Sequence, residues 1–190
     1  MSVKIAVVWS SPNTDGLTAA AKNKFLVGLQ NAGAEIDEIH LNKLQIEHCA
    51  ACENGWGSCA AKGQCWKKDD FEGIYQKLAK ADGIVFISAV YWHDITECMK
   101  AFLDRIRRCE TAHNHFLSEK RCFLVACAGG TGLGAIECLH NMEETLKHMG
   151  MRAYDRIPAI RYNKEYILPA LETAGEVYAK RIVNGFDMQY

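Results

Sequence analysis

Residues 3–18 read VKIAVVWSSPNTDGLT. An almost wholly apolar run, 3–9, ends in two serines, a proline and a glycine, and a segment with helical spacing follows at once. A run apolar at nearly every position suits a strand covered on both faces, so it belongs in the middle of a parallel sheet rather than on a half-exposed antiparallel one. Working outward, similar runs rich in Val and Ile recur at 34–41, 83–90, 121–128 and roughly 151–160. Between them lie helical stripes: Leu17, Ala21, Phe25, Leu29; then 71–81, opened by Asp69 and Asp70 where a helix dipole favours acids; then Ile95, Cys98, Met99, Phe102, Leu103, Ile106. Ile136, Leu139, Met142, Leu146, Met149 give a further stripe, and Leu168, Leu171, Tyr178, Ile182 the last. Five strands alternating with helices require right-handed crossovers and an α/β three-layer sandwich. For this size the flavodoxin-like order 2-1-3-4-5 is expected, with a ligand at the carboxyl ends of strands 1 and 3.

At 190 residues the chain reads as one domain, 1–190, able to bury roughly 70% of its unfolded surface. Neither repeats nor linkers interrupt it, but 42–69 forms a Cys-rich insertion. A formal charge of −1 provides no broad positive field, so nucleic acid is not an expected partner; the local patch Arg105, Arg107, Arg108 reads as a solvated helix end. The apolar stretch 5–9 is too short for a secretory h-region or a membrane span, so a cytoplasmic location without membrane association is expected. In that compartment the nine cysteines are expected to be reduced, and their clustering suggests metal or redox chemistry.

Three strand ends carry the candidate site. The hydroxyls of Ser10, Ser11 and Thr18, with free N–H groups at the start of the helix after Gly16, form an uncharged cradle suited to a phosphomonoester; a helix capped by Thr14 or Asp15 is the alternative. The end of the third strand, SAVYWH (88–93), leaves Tyr91 and Trp92 either to flank a flat heteroaromatic ring or merely to cover the core. The fourth, AGGTGLG (128–134), offers bare backbone to a ligand. A flat ring with a phosphate tail fits all three, which points to flavin mononucleotide (FMN).

The segments SSPNTDGLT, CWKKDDF, SAVYWHDITECMKAFLDR, AGGTGLGAIE and HMGM occur in that order. In this the chain resembles the NAD(P)H-dependent FMN reductase and iron–sulfur flavoprotein families of the flavodoxin-like superfamily, over about residues 3–152. The resemblance implies that Ser11, Gly16, Leu17 and Thr18 hold the phosphate, with Asn13 in the variable part of the loop. It places Ala89, Val90, Tyr91 and Trp92 along the flavin ring, and Gly129, Gly130 and Thr131 at its pyrimidine side. Three departures stand out. Leu17 replaces an Asn and offers only its backbone N–H, Ala89 replaces a Pro, and His93-Asp94 replaces a small Gly-containing pair. The resemblance also implies NAD(P)H as electron donor, a small acceptor such as a quinone or a flavin, and a homodimer or homotetramer.

Cys49, Cys52, Cys59 and Cys65 are spaced C-x2-C-x6-C-x5-C. Four thiolates at such spacing could hold a four-iron four-sulfur (4Fe-4S) cluster or zinc, or remain reduced thiols in a long loop. Cluster-bearing relatives resemble C-x2-C-x2-C followed by a last Cys, and the interval before the third Cys is four residues longer here. The G-x-G-x-x-A match at 130–135 precedes the last strand, the wrong place for a dinucleotide fingerprint. His113-Asn114-His115 reads as a polar loop more readily than as a metal site. The C-x5-R loop of small phosphatases is absent from the sequence. The expected function is thus an FMN-dependent oxidoreductase, with an electron-transfer flavoprotein and a flavin-free binding module as alternatives.

Overall fold

The computed structural model describes residues 2–113 and 115–184. Its elements in chain order are β1 (Lys4–Ser10), α1 (Leu17–Asn31), β2 (Glu35–His40), α2 (Ser58–Lys62), α3 (Phe71–Lys80), β3 (Gly83–Ala89), α4 (Glu97–Glu110), β4 (Arg121–Ala128), α5 (Ala135–Lys147), β5 (Arg152–Ile160) and α6 (Lys164–Asn184). Single turns of 3-10 helix occur at Leu41–Lys43 and Glu53–Gly55. The strands form one parallel sheet in the order β2-β1-β3-β4-β5, as the alternating pattern predicts.

Burial follows position in that sheet. Every residue of β3 is buried, and so are all but the first of β1 and β4. The edge strands β2 and β5 carry the charges, and β5 also carries Pro158, which an edge tolerates because one side needs no ladder donor. Alternation along β1 sends Ile5, Val7 and Trp9 to a core with Phe25, Leu29, Phe123 and Tyr178, under α1 and α6. Ala6 and Val8 face a second core with Phe71, Phe86, Phe102 and Met142, under α3, α4 and α5. Tyr178 anchors α6 to the sheet by donating its hydroxyl to the Arg121 carbonyl at 2.8 Å.

Three expectations are corrected. Ile136 is 63% exposed rather than part of the α5 core stripe, because the buried face of the helix runs through Ala135, Cys138, Leu139, Met142 and Leu146 and leaves 136 outside it. Of the patch Arg105, Arg107, Arg108, only Arg107 is an exposed helix-end residue. Arg105 is buried against Asp69, with Nη2 to Oδ1 at 2.9 Å, and Arg108 Nη1 donates to the Gly55 carbonyl at 2.8 Å. Finally, Asp69 and Asp70 do more than favour a dipole, since they accept the backbone N–H groups of Glu47 and Gln45 at 2.9 and 2.7 Å. The insertion is therefore pinned at both its ends to α3 and α4, and it folds the short helix α2 on the way.

Candidate functional site

The loop after β1 enters α1 through Gly16 as N-cap, and no side chain among the described residues caps the helix. Among the described residues neither Thr14 nor Asp15 caps its first N–H groups, an arrangement that favours an anion. The Ser11 hydroxyl accepts the Asn13 N–H at 3.2 Å, which turns the loop over the helix start. Ser10 does not belong to this cradle. Its side chain is fully buried, hydrogen-bonded to Thr96 and 3.5 Å from the Ser88 hydroxyl, so it ties the ends of β1 and β3 to the N-cap of α4.

A cavity of about 350 Å³ opens over the helix start, lined by Ser11, Asn13, Gly16, Leu17, Thr18, Ala89, Val90, Tyr91 and Gly129 together with Pro12 and Cys127. A second, of about 360 Å³, is lined by Val90, Trp92, Gly129, Gly130 and Thr131 with His93, Ala128, Gly132 and Leu133. All twelve residues expected at a cofactor thus border two adjoining hollows that share Val90 and Gly129. Cys127 and Pro12 were not singled out as cavity residues, whereas His93 was expected beside the ring, where it could shape acceptor access, and Leu133 lies in the Gly-rich stretch expected to face a ligand. Strand periodicity, which continues past Ala126 and Val90, is the signal that could have found the first.

The first hollow contains no charged side chain. Burial pushes the Cys127 thiol up to about 12, and a hydrogen bond with the Thr18 side chain offsets only part of that. The thiol is neutral at pH 7 and does not repel an anion.

Tyr91 and Asp94 exchange backbone hydrogen bonds at 2.8 and 3.0 Å around a two-residue turn, with φ of +49° at Trp92 and +68° at His93. Asn-Gly is the usual occupant of such a turn, and each bulky residue there costs on the order of 1–3 kcal/mol. A Cβ on Gly134 would lie 2.7 Å from the His93 Cα, so the Gly-rich loop packs directly on the turn. Trp92 is 97% exposed. It rims the second hollow and covers none of the core.

Cys49, Cys52, Cys59 and Cys65 line one small cavity of about 20 Å³, and the structure adds a fifth thiol, Cys109 of α4. Arg105, Arg108 and Lys67 complete its wall. Burial raises the Cys59 thiol, reinforced by Cys52, Cys65 and Cys49, and burial pushes Cys109 up to about 12. Among the described residues, no three His, Cys, Asp or Glu side chains are grouped to hold a metal ion. His113 instead pairs through Nε2 with the Gly63 carbonyl at 3.1 Å, and Asn114 lies outside the described residues.

The sequence profile of NADPH-dependent FMN reductases matches residues 3–163. The chain belongs to that family. An iron–sulfur flavoprotein of Methanocaldococcus jannaschii is 30% identical over 136 residues, 71% of this chain and 66% of that protein. One of Archaeoglobus fulgidus is 30% identical over 104 residues, 55% and 46% respectively. The chain spans about half to two thirds of the length of these relatives. Among solved structures, a flavone reductase superposes with a TM-score of 0.75 at 17% identity, covering 98% of this chain and 66% of that one. A flavodoxin from the domain Archaea gives 0.62 at 15% identity, covering 95% and 99%. These two likenesses establish the flavodoxin-like fold. No helix among the described residues is long and apolar enough to cross a membrane.

Proposed function

We propose that this protein is an FMN-dependent NAD(P)H oxidoreductase that delivers electrons to a small acceptor such as a quinone or a flavin. The observation that carries the reading is the uncapped start of α1, facing an uncharged hollow beside a second hollow walled by bare glycine backbone. The residues fit the group: a phosphate meets helix N–H groups and the hydroxyls of Ser11 and Thr18, and a flat ring meets Ala89, Val90, Tyr91 and Gly129. FMN, when bound, supplies two-electron chemistry between a nicotinamide and an acceptor. The protein's part is placement. Ser11, Asn13, Gly16, Leu17 and Thr18 would hold the phosphate, Leu17 by its N–H alone. Ala89 to Trp92 would border the ring, and Gly129, Gly130 and Thr131 its pyrimidine edge. The Ser10–Thr96–Ser88 hydroxyl contacts hold the two loops in register. Replacing Ser11 and Thr18 together with Ala should weaken FMN binding by about 1–3 kcal/mol, since each hydroxyl donates to a charged group. Titration of the flavin-free protein by flavin fluorescence checks this, and unchanged affinity would move the phosphate elsewhere.

A second reading, an iron–sulfur flavoprotein passing electrons onward, is favoured by the convergence of Cys49, Cys52, Cys59 and Cys65 on one cavity with cationic walls. The donor chemistry suits an anionic 4Fe-4S cluster. The space does not suit it as it stands, because about 20 Å³ admits little more than one water and the thiols must move apart. Iron and acid-labile sulfide in anaerobically purified protein would support this reading, and their absence after reconstitution would remove it. The chain is further proposed to act as one domain with its Cys-rich insertion, in the cytoplasm, as a homodimer or homotetramer. Trp56 and Trp66, both exposed on the insertion, support assembly, and light scattering reads the mass.

A further inference from the structure

The Tyr91–Asp94 turn combines three properties that packing alone does not require. It is strained, with positive φ at Trp92 and His93; it rims the second hollow; and it is held rigidly from both sides. On one side β3 ends in the turn. On the other the Asp94 Oδ1 accepts the Ile95 N–H at 2.7 Å, and Thr96 caps α4 by accepting the Met99 N–H at 3.3 Å. A glycine at 93 would relieve the strain and give up only part of a side chain's burial, because the His93 side chain is 56% exposed. The imidazole Nδ1 lies 4.0 Å from Glu137 Oε1, in the first turn of α5, and no hydrogen bond from His93 to another described residue engages its Nε2. The groups able to titrate around it are Glu137 from α5 and Tyr91 and Asp94 from its own turn, with Cys138 of α5 near enough to Asp94 to interact with it. The Gly-rich segment 128–134, which forms the rest of the wall, contains none.

We propose that His93 is the proton donor to the electron acceptor in the second hollow, with Glu137 as the residue that orients it. This rests on the flavin-dependent reading above. A quinone becoming a hydroquinone takes up two electrons and two protons. One hydrogen arrives with the electron pair from the reduced flavin. The other proton comes from the His93 imidazolium: its Nε2–H bond breaks as the acceptor O–H bond forms, the bonding pair stays on the ring, and solvent returns the proton. Glu137 faces Nδ1 and stabilises the charged ring while leaving Nε2 to the hollow.

The test uses the FMN-loaded protein, reduced anaerobically with NADH or NADPH and then mixed with 1,4-naphthoquinone or with ferricyanide, which takes electrons without protons. His93→Gly suits the local φ, so folding is not at risk. The variant should be reoxidised by naphthoquinone about 100-fold more slowly, with ferricyanide slowed less than threefold, and added imidazole should restore at least a tenth of the lost rate. Independently of turnover, the infrared carbonyl stretch of naphthoquinone bound to the oxidised protein should sit lower in the wild type than in His93→Gly. Glu137→Gln should slow the naphthoquinone step by a smaller factor than His93→Gly. Equal slowing with both oxidants, or a naphthoquinone rate within threefold of wild type, overturns the assignment while leaving the flavin reading intact. A protein that binds no FMN overturns both.

Discussion

Replacing Asp69 with Ala should cost about 3–5 kcal/mol of folding stability, the loss expected when one member of a buried ion pair is left alone. The Asp69 and Arg105 side chains are only 3% and 2% exposed. Arg105 also donates to the Glu47 carbonyl at 3.1 Å and lies 4.2 Å over the Phe71 ring, so it cannot swing into water without uncovering the core. Burial opposes the charge on Asp69, but Arg105 and the N–H groups of Glu47 and Phe71 outweigh it and hold the carboxyl below its ordinary range. The sign of the pH dependence follows. A carboxyl whose folded pKa is depressed contributes stability that is complete above its unfolded pKa, near 3.9, and is lost as the pH falls through the folded value. Urea unfolding at pH 7 and pH 3 should therefore show a smaller difference for Asp69→Ala than for wild type. Asp69→Ala with Arg105→Met should recover most of the stability at pH 7, because no charge is then stranded. A single variant as stable as wild type would mean that the pair is solvated.

Gly28→Ala should destabilise the fold by about 3 kcal/mol, at the upper end of ordinary overpacking. A Cβ at Gly28 would stand 1.9 Å from the Glu172 carbonyl oxygen and 2.8 Å from the Glu176 nitrogen, both backbone atoms of α6. A flexible side chain could step aside, but helix backbone cannot. The reciprocal position behaves alike, since a Cβ at Gly175 would lie 2.4 Å from the Phe25 carbonyl. Thermal unfolding of Gly28→Ala measures the effect, with Gly73→Ala as the control, because nothing lies within 4 Å of a Cβ there. Equal melting of the two variants would show that α1 and α6 can separate without loss.

Much of the architecture was legible because it depends on local period and order. The runs at 3–9, 83–90 and 121–128 could only be doubly covered strands, and their alternation with helical stripes leaves few topologies; the observed strand bounds differ by one residue at most. The cofactor-facing loops were legible for a related reason. In a parallel sheet all strands end on the same side, so the residues just after β1, β3 and β4 must meet whatever the distances between them in sequence.

What the sequence could not specify is what depends on which atoms meet across the fold. Ser10 and Ser11 are neighbours of one chemical kind, yet the pleat sends Ser10 into the core against Thr96 and leaves Ser11 at the hollow. Asp69 and Arg105 stand in two separate motifs, CWKKDDF and KAFLDR, and only the packing of α4 beside α3 makes them one buried pair. Cys109 joins the four cysteines of the insertion from a helix whose apolar stripe was read only as far as Ile106. The sequence by itself determined the elements, their order and the strand ends that carry the site, because hydrophobic period and connectivity act along the chain. The tertiary structure alone decided which hydroxyl, which charge and which thiol face one another, because hydrogen bonds and ion pairs act over a few ångströms in space.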